Sequence, residues 1–453
     1  MSFKVAFIGA GSIGFTRKLI QDLLTVPEFS DIEICLMDIN SRNLEMVEKL
    51  IRKDLISNNR KNIKFATTTS RKEALQKARY ILNVVRIGGL EAFRHDVEIP
   101  LKYGIDQCVG DTVCAGGIMY GQRVIPFMSD LCRDIKDLAE EDALLLNYSN
   151  PNAMVTWAAE ASGVRVLGLC HGVQNGHLQL ADALGLKPEE LDYSCVGINH
   201  MTWYTRLEHK GHAYTKEELI DALENHEEYS RQEKVRIDIL KRFGYYSTES
   251  NGHLSEYLPW YRKNKEEINK WISEDEWIHG RTAGYLNYCR ERRNWFEEDF
   301  PRWLEEESPV YSEENRSVEH GSRIIEALET GRIYRGHFNV RNKGAIGNLP
   351  ADAIVELPCY VDKSGIQTPL YGDLPDGPAA LCQSNIAVQR LAVKAAQTGD
   401  IFLLKQAMLL DPLSGAMCTP AELDAMTHEM LLAAEEWLPQ YAKAIHDLKE
   451  IIE

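Results

Sequence analysis

Apolar and polar residues repeat with two different periods over roughly the first 200 residues of the chain. Short apolar runs predict strands at residues 3–8, 32–37, 63–66, 80–86, 144–147 and 164–169, with a further candidate at 195–198. The amphipathic stretches between them predict helices, among them residues 17–25, 42–57 and 123–139. Because strands that alternate with helices are typical of βαβ units, we expect a mostly parallel sheet here.

The pattern changes in the second half of the chain. Residues 217–307 are heavily charged, rich in Trp and Tyr, and mostly helical in spacing. Residues 333–340 and 353–361 predict two more strands, and residues 385–410 and 420–452 predict two closing helical stretches. We therefore expect an α/β protein with a Rossmann-type dinucleotide-binding domain over residues 1–200. A mixed, largely helical catalytic domain should occupy residues 201–453.

Composition and charge exclude several classes of protein. The chain has 453 residues, 44% hydrophobic and 26% charged, which is an ordinary globular balance. Its formal net charge of −17, without a basic run, argues against nucleic-acid and anionic-membrane partners. The apolar start is too short for a signal peptide, and the 10 cysteines contain no C-x-x-C pair. We expect free thiols and a cytoplasmic protein.

A glycine-rich turn follows the first predicted strand and predicts a dinucleotide site. Its sequence is Gly9-Ala10-Gly11-Ser12-Ile13-Gly14, which matches G-x-G-x-x-G between a strand and a helix. Such glycines allow a tight turn and a close approach of the pyrophosphate to the helix N-terminus. The second strand ends in Asp38, whose carboxylate could bind both ribose hydroxyls and would repel a 2′-phosphate. The pattern therefore favours NAD over NADP.

Two polar pairs follow predicted strands, and each contains a residue type that can bind a metal ion. Cys170-His171 follows the strand at residues 164–169, and Asn199-His200 follows the candidate strand at 195–198. Ligands of open α/β sheets bind beyond the carboxyl ends of strands, so Cys170 and His200 could converge on one divalent ion. Spacing alone leaves two alternatives open, an inert packed cysteine and a purely structural histidine.

Taken together, the motifs of the chain resemble those of glycoside hydrolase family 4, the NAD-dependent glycosidases. Within that family they most closely resemble the α-galactosidase branch. The resemblance spans essentially the whole chain. It rests on Phe7-Ile8-Gly9-Ala10-Gly11-Ser12, Leu36-Met37-Asp38, Asp111-Thr112, Gly116-Gly117-Ile118, Asn147-Tyr148-Ser149-Asn150-Pro151, Gly168-Leu169-Cys170-His171, Gly197-Ile198-Asn199-His200-Met201, Gly244-Tyr245-Tyr246-Ser247-Thr248-Glu249-Ser250 and Asn348-Leu349-Pro350. The family fold resembles that of lactate and malate dehydrogenases.

The resemblance implies roles for individual residues. Cys170 and His200 become the metal ligands, normally for manganese(II), and Asn150 becomes a substrate contact. The residue after the metal cysteine is the family's proton donor, here His171. The general base should lie in the segment of Tyr246 and Glu249, with Tyr246 first and Glu249 next. Tyr257 is the third candidate, and we expect it to line the sugar pocket instead.

The resemblance also implies a reaction. NAD transiently oxidises carbon 3 of the sugar, metal-assisted elimination expels the aglycone, and water then adds. Since phospho-glycoside members carry Asp or Asn at the step of His171, we expect an unphosphorylated α-glycoside, α-galactoside first. α-Glucosidase and α-galacturonidase or α-glucuronidase activities are the alternatives within the family. From another class, an NAD-dependent hydroxy-acid dehydrogenase remains open.

Two further expectations concern Arg94 and the quaternary structure. Arg94, beside His95, could bind the phosphate or carboxylate of a substrate, or could lie on a solvated helix face. The resemblance implies a homodimer or homotetramer.

Overall fold

One continuous sheet runs through the molecule. The computed structural model of the chain describes residues 2–292 and 295–452. The strands of these residues lie in the order β10-β8-β7-β12-β11-β6-β5-β4-β1-β2-β3, with β13 beside β12 and β9 beside β8. Their bounds are β1 (Lys4–Ile8), β2 (Glu33–Met37), β3 (Lys64–Thr68), β4 (Tyr80–Asn83), β5 (Leu144–Asn147), β6 (Arg165–Leu169), β7 (Asp192–Ile198), β8 (Met201–His209), β9 (His212–Ala213), β10 (Tyr246–Ser247), β11 (Tyr334–Arg341), β12 (Ile354–Asp362) and β13 (Gly365–Gln367).

The first six strands are parallel and stand in the order β3-β2-β1-β4-β5-β6. This is the order of a Rossmann fold, as the alternation of strands and helices predicted. The rest of the sheet is antiparallel: β11 pairs with β6, β12 pairs with β11 and β7, and β7 forms a hairpin with β8. Strands from both halves of the chain therefore share one sheet.

The helices have the following bounds: α1 (Ile13–Leu24), α2 (Ser41–Ser57), α3 (Arg71–Leu75), α4 (Gly89–Lys102), α5 (Cys114–Leu138), α6 (Asn152–Ala161), α7 (Gly172–Ala183), α8 (Lys216–Asn225), α9 (Tyr229–Gln232), α10 (Lys234–Phe243), α11 (Asn251–Tyr257), α12 (Lys265–Trp271), α13 (Gly284–Glu291), α14 (Trp295–Glu298), α15 (Phe300–Glu305), α16 (His320–Thr330), α17 (Asp376–Thr398), α18 (Ile401–Leu410), α19 (Pro412–Met417), α20 (Pro420–Ala433) and α21 (Ala442–Ile452). Among the described helices none is both long and apolar enough to cross a membrane.

Side chains of β1 alternate between two packed faces, as the period of a strand requires. Val5 and Phe7 belong to a large core cluster that also contains residues of α1 and α2. Ala6 and Ile8 belong to a second cluster with residues of α3 and α5. Both faces of the parallel sheet are therefore covered by helices, which is why its strands read as continuous apolar runs.

Four expectations differ from the structure, and one of them is the helical stretch at 420–452, which divides into α20 and α21. The strand expected at residues 80–86 ends at Asn83, and residues 201–209, not expected as a strand, form β8. The helical stretch expected at 385–410 is two helices, α17 and α18. Gly399 adopts a left-handed φ of 68° after α17, and the carboxylate of Asp400 then accepts hydrogen bonds from the first turn of α18. A left-handed glycine followed by a capping aspartate ends one helix and starts another.

Candidate active site

The glycine turn joins β1 to α1 and is held by the neighbouring strand. Gly9 has a φ of 89°, a left-handed conformation that favours glycine, and its amide donates to the Met37 carbonyl at 2.9 Å. Ser12 precedes α1, and its side chain does not cap the helix. The amides at the helix start, at Ile13 and Gly14, thus receive no cap from Ser12, and such a helix start is a common site for an anion.

Asp38 lies directly against this turn. Its carboxylate accepts hydrogen bonds from the amides of Gly11 at 2.7 Å and Asn40 at 2.8 Å. A Cβ atom on Gly11 would lie only 2.6 Å from Asp38 Oδ2. The second glycine of the motif is therefore required for the carboxylate to approach the turn. All the residues predicted for the cofactor thus lie at one end of the parallel sheet.

Three potential metal ligands meet beyond the strand ends. Cys170 follows β6, His200 lies in the two-residue turn between β7 and β8, and Glu249 precedes α11. Their ligand atoms all lie within 4.8 Å of one another. His200 has a φ of 63°, an uncommon conformation outside glycine that is enriched at functional sites. The structure therefore brings Cys170 and His200 together and adds Glu249 to them.

The charges of this cluster suit a cation. Burial lowers the pKa of His200 to about 4, so its imidazole is neutral near pH 7. Burial alone would raise the pKa of Glu249, but His200, His253 and His171 outweigh it and lower that pKa to about 2. Glu249 Oε2 lies 3.1 Å from His200 Nε2, yet it has no hydrogen-bond partner. An anionic carboxylate beside an uncharged imidazole is a donor set that a divalent ion satisfies.

The thiol of Cys170 needs a positive partner to ionise. Burial, followed by the negative charge of Glu249, raises its pKa well above the ordinary value. A bound cation favours the thiolate of a ligating cysteine. Close packing brings the carboxylate this near, because a Cβ atom on Gly172 would lie 2.8 Å from Glu249 Cγ.

A cavity of about 360 Å³ opens onto the cluster. Polar and aromatic side chains make up most of its wall, and its lining is Phe15, Val109, Asp111, Tyr148, Asn150, Leu169, Cys170, His171, His200, Glu249, His253, Trp277 and Tyr285. Phe15 belongs to α1, so the cavity reaches the helix that begins at the glycine turn. The cavity at the metal cluster therefore extends to the helix that carries the predicted cofactor turn, and its volume is sufficient for a sugar ring.

Two residues predicted from the family, His171 and Asn150, line this cavity. His171 is 45% exposed, and its Nδ1 lies 3.6 Å from the buried carboxylate of Glu319. Asn150 donates its amide to Asp111 Oδ1 at 3.1 Å. Arg86 holds the other oxygen of Asp111, also at 3.1 Å.

Three other candidates lie elsewhere. Tyr246 does not line the cavity; it is fully buried, with the Arg236 guanidinium 4.1 Å from its ring, and burial raises its pKa strongly. Tyr257 is also buried, and its hydroxyl donates to the carbonyl of Asn199, so it supports the hairpin turn rather than the sugar pocket. Arg94 lies on α4, half exposed and 3.6 Å from Glu98.

Sequence reasoning missed several cavity residues. The cavity residues His253, Asp111 and Tyr285 received no role, although Asp111 lay within a quoted motif, and neither did Glu319, which lies beside His171 outside the lining. The short spacing of Glu249 and His253 is a signal that could have been used. They lie four residues apart, which is the i,i+4 spacing at which side chains meet on a helix.

Two models of one known family match the chain. Residues 4–186 match the family model described as Family 4 glycosyl hydrolase, and residues 195–414 match Family 4 glycosyl hydrolase C-terminal domain. The chain therefore belongs to glycosyl hydrolase family 4, as its motifs predicted, and is a glycosidase rather than a hydroxy-acid dehydrogenase.

Two curated relatives are similar over nearly their full length. An alpha-galactosidase from Rhizobium meliloti (strain 1021) is 56% identical, covering 99% of this chain and 92% of the relative. An alpha-galactosidase from Bacillus subtilis (strain 168) is 34% identical, covering 97% of this chain and 99% of the relative.

Solved structures share the architecture. A 6-phospho-alpha-glucosidase from gut microorganisms, in complex with NAD and glucose-6-phosphate, is 26% identical with a TM-score of 0.77, covering 97% of this chain and 99% of that one. A malate dehydrogenase from Naegleria fowleri, 11% identical, has a TM-score of 0.51 over 87% of this chain and 99% of that one. The expected likeness to malate dehydrogenase is thus confirmed for the fold.

Proposed function

We propose that the protein is an NAD- and manganese-dependent α-galactosidase that hydrolyses unphosphorylated α-galactosides. The observation that carries this proposal is the lining of the cavity, which joins the Cys170, His200 and Glu249 cluster to aromatic groups, the Asn150 amide and the Asp111 carboxylate. The described residues of that lining include no lysine or arginine. Because a phosphate needs cationic or N–H donors, this wall favours an unphosphorylated sugar. The 56% identity to an alpha-galactosidase supports galactose.

Cys170, His200 and Glu249 would hold the divalent ion. The fit rests on the mutual approach of their donor atoms within 4.8 Å and on the unpartnered Oε2 of Glu249. Thiolate, imidazole and carboxylate together suit a divalent transition-metal ion. Manganese(II) is the ion that the family resemblance implies.

NAD would bind at the glycine turn. The turn from Gly9 to Gly14 would hold the pyrophosphate, because its glycines allow a close backbone approach and no side chain of Ser12 caps the amides at the start of α1. Asp38 would exchange part of its hydrogen bonding for the ribose hydroxyls. A relative of 26% identity was solved with NAD, which supports this assignment.

The chain's own residues divide the chemistry between them. When bound, NAD accepts and returns a hydride at carbon 3, and the divalent ion stabilises negative charge on neighbouring sugar oxygens. His171 gives a proton to the oxygen of the departing aglycone, and the Glu319 carboxylate 3.6 Å from Nδ1 orients its ring. Asn150, beside Asp111, binds a sugar hydroxyl. Trp277 and Tyr285 form an aromatic wall that excludes water.

The geometry argues against both residues that were favoured as the general base, Tyr246 and Glu249. We assign Glu249 to the ion and not to proton abstraction, because its donor atom belongs to the Cys170 and His200 cluster. We also withdraw Tyr246 from that role, since its buried hydroxyl does not reach the cavity. The proton of carbon 2 would pass instead to Asp111, the one carboxylate of the described cavity lining outside the metal cluster.

An α-galacturonidase is the second candidate. Arg86 contacts Asp111 of the cavity wall, and its Nη1 is buried without a hydrogen-bond partner. Because Arg86 is not among the lining residues and its Nη2 is held by Asp111, a uronic acid carboxylate would bind its Nη1 through one oxygen. An alpha-galacturonidase from Bacillus subtilis (strain 168) is 28% identical, covering 90% of this chain and 93% of that relative.

The test is a panel of p-nitrophenyl glycosides, assayed with NAD, manganese and a thiol reductant. We expect the highest kcat/KM with α-galactoside, below it α-glucoside and α-galacturonide, and least with 6-phospho-α-glucoside. Free NADH should not accumulate with product. Preference for the uronide would establish the second candidate, and preference for the phosphorylated sugar would overturn the proposal.

We also propose a cellular location and an oligomeric state for the protein. All ten cysteines are free, which supports a reducing, cytoplasmic location. We propose a homodimer or homotetramer on the family resemblance. The division into a nucleotide-binding part over residues 1–200 and a catalytic part over 201–453 remains a prediction.

A further inference from the structure

His253 is a cavity residue to which neither the sequence nor the proposed mechanism assigns a role. It lies in the first turn of α11 and lines the cavity beside Glu249. Its side chain is only 7% exposed. The donor atoms that meet at the metal cluster come from Cys170, His200 and Glu249, so His253 is left for another partner.

The two ring nitrogens of His253 have different surroundings. Nδ1 lies 3.3 Å from Ser250 Oγ and 3.6 Å from Glu249 Oε2. Nε2 is buried and has no hydrogen-bond partner. The ring also stands edge-on to that of His200, with 4.5 Å between centroids. An unpaired buried polar atom is costly, so a ligand group in the cavity is the natural partner for Nε2.

The surroundings of Nδ1 decide which hydrogen bond Nε2 can make. An ionised carboxylate such as Glu249 only accepts hydrogen bonds, and Ser250 Oγ lies on the same side of the ring. Ser250 Oγ already accepts the backbone N–H of His253 and can donate or accept at Nδ1, so the Glu249 carboxylate is the group that favours a hydrogen on Nδ1. In a neutral imidazole the other nitrogen is then an acceptor, so Nε2 needs a ligand that donates.

We propose that Nε2 of His253 accepts a hydrogen bond from a hydroxyl of the bound sugar, which makes His253 a specificity-determining residue. Carbons 2 and 3 carry the reacting groups, so the hydroxyl is on carbon 4 or carbon 6. A phosphate or carboxylate at this place would bring oxygens without hydrogens against a lone pair. His253 therefore selects sugars that are uncharged there. This inference rests on the proposed glycosidase function and deepens it.

Two substitutions separate the two nitrogens. His253→Gln places an amide near Nε2, whereas His253→Asn places one near Nδ1. We expect His253→Gln to keep kcat/KM within about threefold of wild type and His253→Asn to lose roughly tenfold to hundredfold, the cost of an unpaired buried group. Manganese binding, followed by electron paramagnetic resonance, and NAD binding, followed by fluorescence, should be unchanged in both variants.

Fluorinated substrates test the same contact in the wild-type enzyme. Replacing the hydroxyl on carbon 4 or carbon 6 by fluorine removes the hydrogen but keeps the size. One of these two substrates should lose roughly tenfold in kcat/KM with wild type and much less with His253→Asn. Full activity with both fluorinated substrates would overturn the inference even if neither variant folds.

Other outcomes also decide the matter. Equal losses in both variants with weakened manganese binding would make His253 a metal ligand, and retention of activity by Asn alone would assign its role to Nδ1. Either result overturns the proposal. The comparison uses whichever glycoside the wild type hydrolyses best. A wrong sugar therefore shows in the substrate panel, whereas a wrong role for His253 shows in the variants.

Discussion

The cofactor turn and the metal cluster are built in opposite ways. The turn is local: residues 9–14 adopt it between one strand and the next helix, and Asp38 joins them from the adjacent strand. The cluster is assembled from three distant segments, since Cys170, His200 and Glu249 end or follow different elements. A short motif can therefore predict the first region, whereas the second needs the whole sheet.

The two regions also differ in how their polar atoms are satisfied. At the turn, the Asp38 carboxylate already accepts two backbone hydrogen bonds. In the cluster, Glu249 Oε2 and His200 Nδ1 are buried without partners. Unpaired buried groups indicate a site that is completed by its ligand. We thus expect substitutions in the cluster to affect turnover far more than substitutions at the turn.

The largest effect is expected for Cys170→Ser. A hydroxyl is a much poorer ligand than a thiolate, and Lewis-acid assistance is worth several kcal/mol, so turnover should fall by roughly 10⁴-fold or more. A chelator should abolish the wild-type rate, and manganese should restore it. The assay is p-nitrophenyl α-galactoside hydrolysis, with circular dichroism to check the fold. Near wild-type rates in Cys170→Ser without added metal would refute the assignment of the cluster.

A smaller loss is expected for His171→Ala, because it removes the proposed proton donor and leaves the ligands in place. General acid catalysis contributes roughly 10²–10⁴-fold, and we expect a loss near the lower end with p-nitrophenyl substrates. Nitrophenolate leaves without much protonation, so the loss should be larger with melibiose. Equal losses on both substrates, or reduced manganese affinity, would assign His171 a structural role instead.

Whether a region is built from neighbouring or from distant residues determines how well the sequence predicts it. The parallel strands and the turn were predictable because their determinants, apolar runs and glycines, lie within a few residues of each other. β8 was not, because residues 201–209 pair with β7 through a turn containing a left-handed His200, a conformation without a residue signature.

The candidate site was predictable only in part. Cys170 and His200 stand at strand ends, where chemistry is expected, and the family resemblance paired them. Glu249 was predicted with another role, as a base. Its approach to the cluster depends on the packing of Gly172, and a tertiary contact of this kind has no local pattern. The position of Tyr246 could not be predicted for the same reason: one step along the chain from Tyr245, it lies fully buried beneath Arg236.

A moderate effect is expected for Asp38→Ala at the cofactor turn. The substitution removes the proposed ribose contact and the bonds from the Gly11 and Asn40 amides. NAD affinity should weaken by about 1–3 kcal/mol, the range for hydrogen bonds to a charged group, while kcat at saturating NAD changes little. Discrimination against NADP should weaken as well. Equal activity of the wild type with NAD and NADP would contradict the role of Asp38.

The smallest effect is expected for Arg94→Ala, and it tests whether the active site ends at the cavity wall. Arg94 is half exposed on α4, lies 3.6 Å from Glu98 as an i,i+4 pair, and is not among the residues that line the cavity. Such a pair contributes only about 0.3–0.5 kcal/mol to stability. Because Arg94 lies outside the cavity lining, the ratio of kcat/KM for α-galactoside over α-galacturonide should stay within twofold of wild type. A selective loss of uronide hydrolysis would instead extend the substrate site beyond the cavity and onto α4.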